Sequence, residues 1–156
     1  KYWNNDLGVS YSHAPHYRET AAAAILEMRR QMPQDVFDAE GLLQKGLLLR
    51  HLILPGQYRD SMRILDWVRA SLGEETLVSL MSQYTPLYRA KEIKALSRKL
   101  TTFEYEKVID YFFEIGLKNG FMQKRSSATG EYTPTFDLSG VAAAESFMKR
   151  EENHHD

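Results

Sequence analysis

The sequence predicts an α/β domain with parallel strands and covering helices, on three observations. Residues 46–54 (Gly-Leu-Leu-Leu-Arg-His-Leu-Ile-Leu) have the length of a strand and are apolar on both faces, as a parallel strand between a helix layer and a core reads. A helix-period segment and a second strand-like segment follow with short links, which makes a βαβ unit with an expected right-handed crossover. A third helix then opens on a capping box and leads into a short strand, so the order α-β-α-β-α-β points to an α/β class.

Taken in order, residues 1–15 read as loop, because Asn4, Asn5, Asp6, Gly8, Ser10, Ser12 and Pro15 dominate them. Tyr17, Ala21, Ala24, Ile25, Met28 and Met32 recur at helical spacing, and Pro33 ends that amphipathic helix, about 16–32. Residues 34–45 form a polar connection holding Val36 and Phe37. The strand at 46–54 is stopped by Pro55-Gly56. Met62, Leu65, Val68 and Leu72 mark a helix over 58–72, with Gly73 as its stop. Residues 76–84 (TLVSLMSQY) are the second strand. Residues 86–100 are basic and loop-like, with a turn of helix near Ile93 and Leu96. Thr101 and Glu104 have the spacing of a capping box, and Tyr105, Val108, Ile109, Phe112 and Ile115 line one face of the helix behind it, closed by Gly116. Residues 119–123 suit a short strand and 126–134 a turn-rich loop. Residues 142–150 suit a terminal helix, with a frayed tail to 156.

The totals limit the function. A chain of 156 residues suits one domain with a real core, and a formal net charge of -1 argues against a general nucleic-acid or anionic-membrane binder. There is no run of roughly 20 apolar residues and no secretory signal. The chain has no cysteine, so disulfides and cysteine-ligated zinc or iron–sulfur clusters are excluded within it. It opens at Lys1 without a methionine, which reads as a piece of something longer.

Few residues stand out as chemistry. Arg50 alternates with Leu48, Leu52 and Leu54, so it needs water, a protein carboxylate or an anionic ligand; an unpaired guanidinium cannot be buried cheaply. A structural ion pair and a bidentate clamp on a ligand carboxylate or phosphate are both open. His51 falls on the opposite face with Leu49 and Ile53 and reads as a hydrogen-bonded histidine under a helix. Ser79, Ser82, Gln83 and Tyr84 gather toward the carboxyl end of the second strand, the edge where parallel sheets carry ligands. The run Arg89, Lys91, Lys94, Arg98 and Lys99 reads as a solvated face, and His154-His155 has no supporting metal ligands. No Gly-rich phosphate loop, nucleophile elbow or paired-histidine zinc motif is present.

Several stretches together resemble one family. RHLILPG (Arg50 to Gly56), DSMRILDWV (Asp60 to Val68), SLMSQYTP (Ser79 to Pro86), LTTFEYEKVIDYFFEIGLKNGFMQ (Leu100 to Gln123) and YTPTFDLSGV (Tyr132 to Val141) resemble the C-terminal half of radical S-adenosylmethionine proteins, nearest the pyruvate formate-lyase activating enzymes. The resemblance implies a partial (half) β/α barrel over residues 1–141, followed by the terminal helix and tail at 142–156. It implies S-adenosylmethionine and a 4Fe–4S cluster in the full-length protein, the cluster held by a Cys-x-x-x-Cys-x-x-Cys loop that this chain lacks. Lys1 matches the lysine of an Asp-x-Lys motif, and Lys1 and Arg50 match positions that face the barrel interior and contact the cofactor; Gln83 is the third expected cofactor-binding residue. Family activases carry a histidine at the end of the last barrel strand, where this chain reads Ser82-Gln83-Tyr84. The implied partners are a glycyl radical enzyme or other protein substrate and an electron donor, in the cytoplasm, with neither nucleic acid nor membrane. The implied activity is generation of a glycyl radical on the partner, with this portion inactive alone and self-associating through the exposed barrel edge. The alternative is a non-catalytic α/β docking or binding domain.

Overall fold

A computed structural model of the protein describes residues 1–122, so the expectations for residues 123–156 lie outside the described residues. From the N-terminus the elements are α1 (Asn5–Ser12), α2 (Tyr17–Gln31), β1 (Val36–Phe37), β2 (Leu43–Lys45), β3 (Leu48–Leu52), α3 (Tyr58–Leu72), β4 (Leu77–Met81), a 3-10 turn (Tyr88–Glu92), α4 (Thr102–Glu114) and β5 (Gly120–Met122). The class is α/β, as the sequence predicts.

Strands β3, β4 and β5 form one sheet in that spatial order, both pairs parallel. The order follows the chain, so each neighbour is reached by one crossover helix, α3 or α4. Both helices cover the same face. Leu65 and Val68 of α3 and Val108 and Phe112 of α4 share one buried core with Ile53, Val78 and Leu80. Period-2 alternation along the strands and period-3.6 spacing along the helices put these residues on one interface. Each fully buried aliphatic or aromatic side chain there contributes about 1.5–3 kcal/mol. Tyr105 adds a polar tie, donating to the Leu80 carbonyl at 3.0 Å.

A second, smaller core of Tyr2, Leu54, Tyr84 and Leu96 lies past the carboxyl ends of β3 and β4. There Tyr84 donates to the Leu96 carbonyl at 2.9 Å.

The N-terminal segment departs from the expected loop. Asn4 caps α1, its side chain accepting from Asp6 N at 2.9 Å. The helix is too short to show an amphipathic period, and Gly8 inside it reads as a loop signal. Gly8 is there for contact: a Cβ would lie 2.8 Å from the Ala14 carbonyl and 3.1 Å from Tyr17 Cβ. Helix α2 forms as expected but buries no residue.

The polar connection at 34–45 is instead a small antiparallel hairpin, β1 with β2. Strands this short carry no readable alternation. The turn is built by Asp38, whose carboxylate accepts from Glu40 N and Leu42 N at 3.1 and 2.8 Å, the local bonding that favours Asp in turns. Past the hairpin, Gly46 has φ +146, and a Cβ there would fall on the Asp35 carboxylate. That carboxylate is already engaged, accepting from Leu47 N at 2.9 Å and from Arg29 at 3.0 and 3.2 Å. Gly46→Ala is expected to lower stability by about 2 kcal/mol, through the unsuitable φ and the displaced carboxylate. A urea midpoint unchanged from the parent would refute this.

Candidate functional site

The register of the sheet fixes what shares each face. Arg50 lies opposite Ser79, and Ser79 opposite Phe121, so these three form one row across all three strands; Leu52 and Met81 form the next. The row His51, Leu80 and Met122 belongs to the other face, under the helices. The helix side therefore holds Leu49, His51 and Ile53, as alternation predicts.

The Arg50 face is open. Leu48 is 39% exposed and Phe121 55%, and Arg50 is exposed. The reading of residues 46–54 as covered on both faces thus fails around Leu48 and Arg50, while farther along Leu54 is buried in the second core and Leu52 packs against it. Arg50 makes no hydrogen bond or ion pair with any described residue. Of the destinations open to it, the structural ion pair is the one not realised among the described residues; its fork of donors faces solvent.

At the carboxyl end of β4 the polar residues divide. Tyr84 is consumed by the second core. Ser82 is 8% exposed, and its Oγ has no partner among the described residues, nor does Thr85 Oγ1. A buried hydroxyl without a partner calls for a water or a ligand atom. Gln83, half-buried, makes no hydrogen bond with the described residues.

Lys1 borders a crevice with Trp3, Ala21, Ile25, Ile64 and Trp67, between the N-terminal segment, α2 and α3. Its Nζ sits 5.5 Å from the centre of the Tyr2 ring. No hydrogen bond or ion pair joins Lys1, Arg50 and Gln83 to one another. The N-terminal segment is fixed by Asp60, a buried carboxylate in the first turn of α3 that accepts from Trp3 N at 2.8 Å and Asn4 N at 2.9 Å. Two consecutive backbone donors satisfy that carboxylate in place of a cation.

His51 is a structural residue. Its Nε2 is 2.8 Å from Ser61 Oγ, and Ser61 Oγ donates in turn to the Gln57 carbonyl at 3.4 Å. Burial pushes the imidazole pKa down to about 3, because the charged form has no solvent to return to.

Glu104, read from the sequence as the acid of a capping box, is that and more: it is the most connected side chain among the described residues. It completes the capping box with Thr101, whose N and Oγ1 donate at 3.0 and 2.8 Å, and its N–H donates to Thr101 Oγ1 at 3.2 Å. Arg98 takes the same carboxylate bidentately at 2.7 and 2.8 Å, so Arg98 is a structural partner rather than part of a solvated face. Gly56 N, in the turn after β3, donates to it at 2.6 Å. The Arg98 guanidinium, opposed by burial and helped by the Thr101 and Gly56 amides, holds the Glu104 pKa down at about 2. The only signal in the sequence is the capping box itself; a further role for its acid depends on tertiary contact.

Among the described residues no group of His, Cys, Asp or Glu is arranged to hold a metal ion, and no helix is long and apolar enough to cross a membrane.

The chain is similar to an uncharacterized protein of Methanocaldococcus jannaschii, 27% identical over 111 residues, a match that takes in 70% of this chain and 28% of that protein. The chain thus spans under a third of the length of this curated relative. No protein-family profile matches the chain, and no solved structure matches it significantly.

Proposed function

We propose that the chain is the C-terminal part of a radical S-adenosylmethionine activating enzyme, its sheet being part of a β/α barrel. The observation that carries this is Arg50, an exposed guanidinium in the middle of a parallel strand, without an ion pair among the described residues and on the face that α3 and α4 leave open. Sequential strand order with both crossover helices on one face supports the barrel, because a barrel keeps its helices outside and its inner face for side chains and ligands. A doubly wound sheet would place helices on both faces.

The residues fit part of the cofactor machinery. Arg50 suits a ligand carboxylate, for which its fork geometry is matched. Lys1 and Gln83, each without an ion pair, are the other proposed contacts. The chain has no cysteine, so the ligands of a 4Fe–4S cluster must come from another part of the full-length protein. Bound S-adenosylmethionine supplies the reactive chemistry, and this chain's residues bind and orient it. The reaction is activation of a glycine in a partner protein with electrons from a reductant, in a cytoplasmic setting.

Two results test the reading. The reading frame upstream of Lys1 is expected to encode a Cys-x-x-x-Cys-x-x-Cys motif and an Asp two residues before Lys1; a frame with neither rejects it. In the complete protein, Arg50→Lys is expected to weaken S-adenosylmethionine binding about 10-fold, since it keeps the charge and loses the fork. Isothermal titration giving equal affinity would reject the clamp.

The open face carries a further expectation. Strand β3 is paired on one side only among the described residues, and Leu48 and Phe121 are exposed on the same face. Such edges and patches associate, so the isolated chain should show concentration-dependent dimers in sedimentation. Strictly monomeric behaviour at high concentration counts against an unfilled edge.

One observation favours a docking domain instead. Exposed large apolar residues gather on the end of α2 and the hairpin: Leu26, Met28, Met32, Val36, Phe37 and Leu42. S-adenosylmethionine binding by the complete protein separates the two readings.

A further inference from the structure

Past the carboxyl ends of the strands, the last turn of α1 faces the 3-10 turn across a cavity of about 210 Å3. Ser10, Tyr11 and His13 form one wall; Arg89, Glu92 and Leu96 are on the other. Tyr11 and Leu96 belong to the second core, so the floor is apolar and held in place, while the rim is polar.

Two independent observations mark this cavity. The first is backbone conformation. Tyr88, immediately before Arg89, has φ +49 and is 68% exposed. A bulky residue in the left-handed region costs about 1–3 kcal/mol, and such conformations gather at ligand sites. Burial of the ring does not offset that cost here. His13, on the facing wall, is also left-handed, at φ +50, but it ends α1 and its conformation follows from that role.

The second observation is charge. Arg89, Lys91 and Lys94 are exposed, and their side chains have no ion pair or hydrogen bond with the described residues. The one acid between Tyr88 and Leu96 is Glu92, and Arg98 further along is already committed to Glu104. A cavity with an apolar floor thus opens beneath a segment with surplus positive charge, and Arg89 stands at its wall.

We propose that this cavity receives an aspartate or glutamate side chain from an extended acidic segment of a partner protein, with Arg89 taking the carboxylate and Lys91 and Lys94 attracting the acids that flank it. The idea of a protein partner rests on the activating-enzyme reading. The cavity is below the ~300–1,000 Å3 of pockets that enclose a whole small molecule, so it suits one side chain. The cations continue along the chain beyond the cavity, so the ligand continues too. Glu92 opposes any anion there and sets a ceiling on affinity.

The test uses this chain and a fluorescein-labelled heptapeptide, Gly-Asp-Glu-Gly-Glu-Asp-Gly, read by fluorescence anisotropy. Saturable binding is expected, weakening steeply between ~50 and ~200 mM salt as exposed charges are screened. Arg89→Ala should weaken it about 10-fold and Glu92→Gln tighten it about 2-fold, while Arg63→Ala, an exposed arginine of α3 away from the cavity, leaves it unchanged. Arg89 and Glu92 are exposed, so these variants fold, which circular dichroism checks. Absence of saturable binding, equal binding of the Asn/Gln counterpart peptide, or an equal loss with Arg63→Ala overturns the proposal. The assay needs neither S-adenosylmethionine nor a cluster. Peptide binding beside failed cofactor binding in the complete protein would therefore reject the enzyme reading and leave this site standing.

Discussion

Glu104→Ala is expected to lower the stability of the domain by about 3 kcal/mol, or a melting temperature by about 10 °C. The Glu104 carboxylate accepts hydrogen bonds from Gly56 N, Thr101 N, Thr101 Oγ1 and both terminal nitrogens of Arg98. It therefore joins the start of α4, the basic loop and the turn leaving β3. Alanine removes all of these at once and leaves the Gly56 amide without its partner. Breaking a buried pair costs about 3–5 kcal/mol; the lower end applies because Arg98 is 45% exposed and regains water. The effect depends on pH. The carboxyl pKa is held down at about 2, from 4.5, so its contribution is present above pH 4.5 and is lost as pH falls from there toward 2. Glu104→Gln should therefore differ most from the parent above pH 4.5, with a gap that narrows steadily below it and closes only near pH 2. A stability gap that is flat from pH 7 to pH 3 would show that Glu104 acts only through packing.

His51 dominates a different pH window. Its folded-state pKa is about 3 against 6.5 for the unfolded chain. Between those values the unfolded state binds a proton that the folded state refuses. Stability is thus full above pH 6.5 and falls by about 1.4 kcal/mol per pH unit below it. By pH 4.5 the loss from this one side chain is about 3 kcal/mol. Titrating carboxylates take over only below that. His51→Gln keeps a hydrogen-bonding group beside Ser61 and removes the titration, so its unfolding free energy should be nearly flat between pH 6.5 and 5. A variant as steep as the parent over that window would show that His51 carries its charge in the folded state.

Much of the architecture was legible from residue spacing. Leu65, Val68 and Leu72 set the span of α3 to the residue, and Thr101 with Glu104 marked the start of α4. Alternation placed His51 under the helices and Arg50 away from them. Other features were hidden for physical reasons. Helix α1 contains Asn5 and Gly8, which signal loop, and its order comes from the Asn4 cap and the close approach to α2. The hairpin strands are too short for a period. Asp60 reads as an ordinary first-turn acid, and nothing local shows that it holds the backbone of Trp3 and Asn4 some 56 residues away. For the candidate site, periodicity gave the face of Arg50 but not its solitude, because the existence of an ion pair depends on which elements come together.

Helix α2 buries none of its residues, and that shapes how it is held. Fifteen residues are a marginal length for an isolated helix in water. Its fixings are at the two ends. Asn5 Nδ2 donates to Glu19, and Asn5 Oδ1 accepts from Arg18 N at 3.1 Å; at the far end Arg29 grips Asp35. Between them lie small alanines that pack lightly. The helix is mounted like a handrail on two brackets: the far one is polar, and the near one adds the Tyr17 ring, packed edge-on against Tyr2 at 5.2 Å in the second core. Loss of either would free a long rod from one side of the domain while the sheet and its own two helices stayed folded. The βαβαβ body and the outer rail thus answer to a different balance of forces: apolar burial dominates in the one, while charge and hydrogen bonding share the load with a single tyrosine in the other.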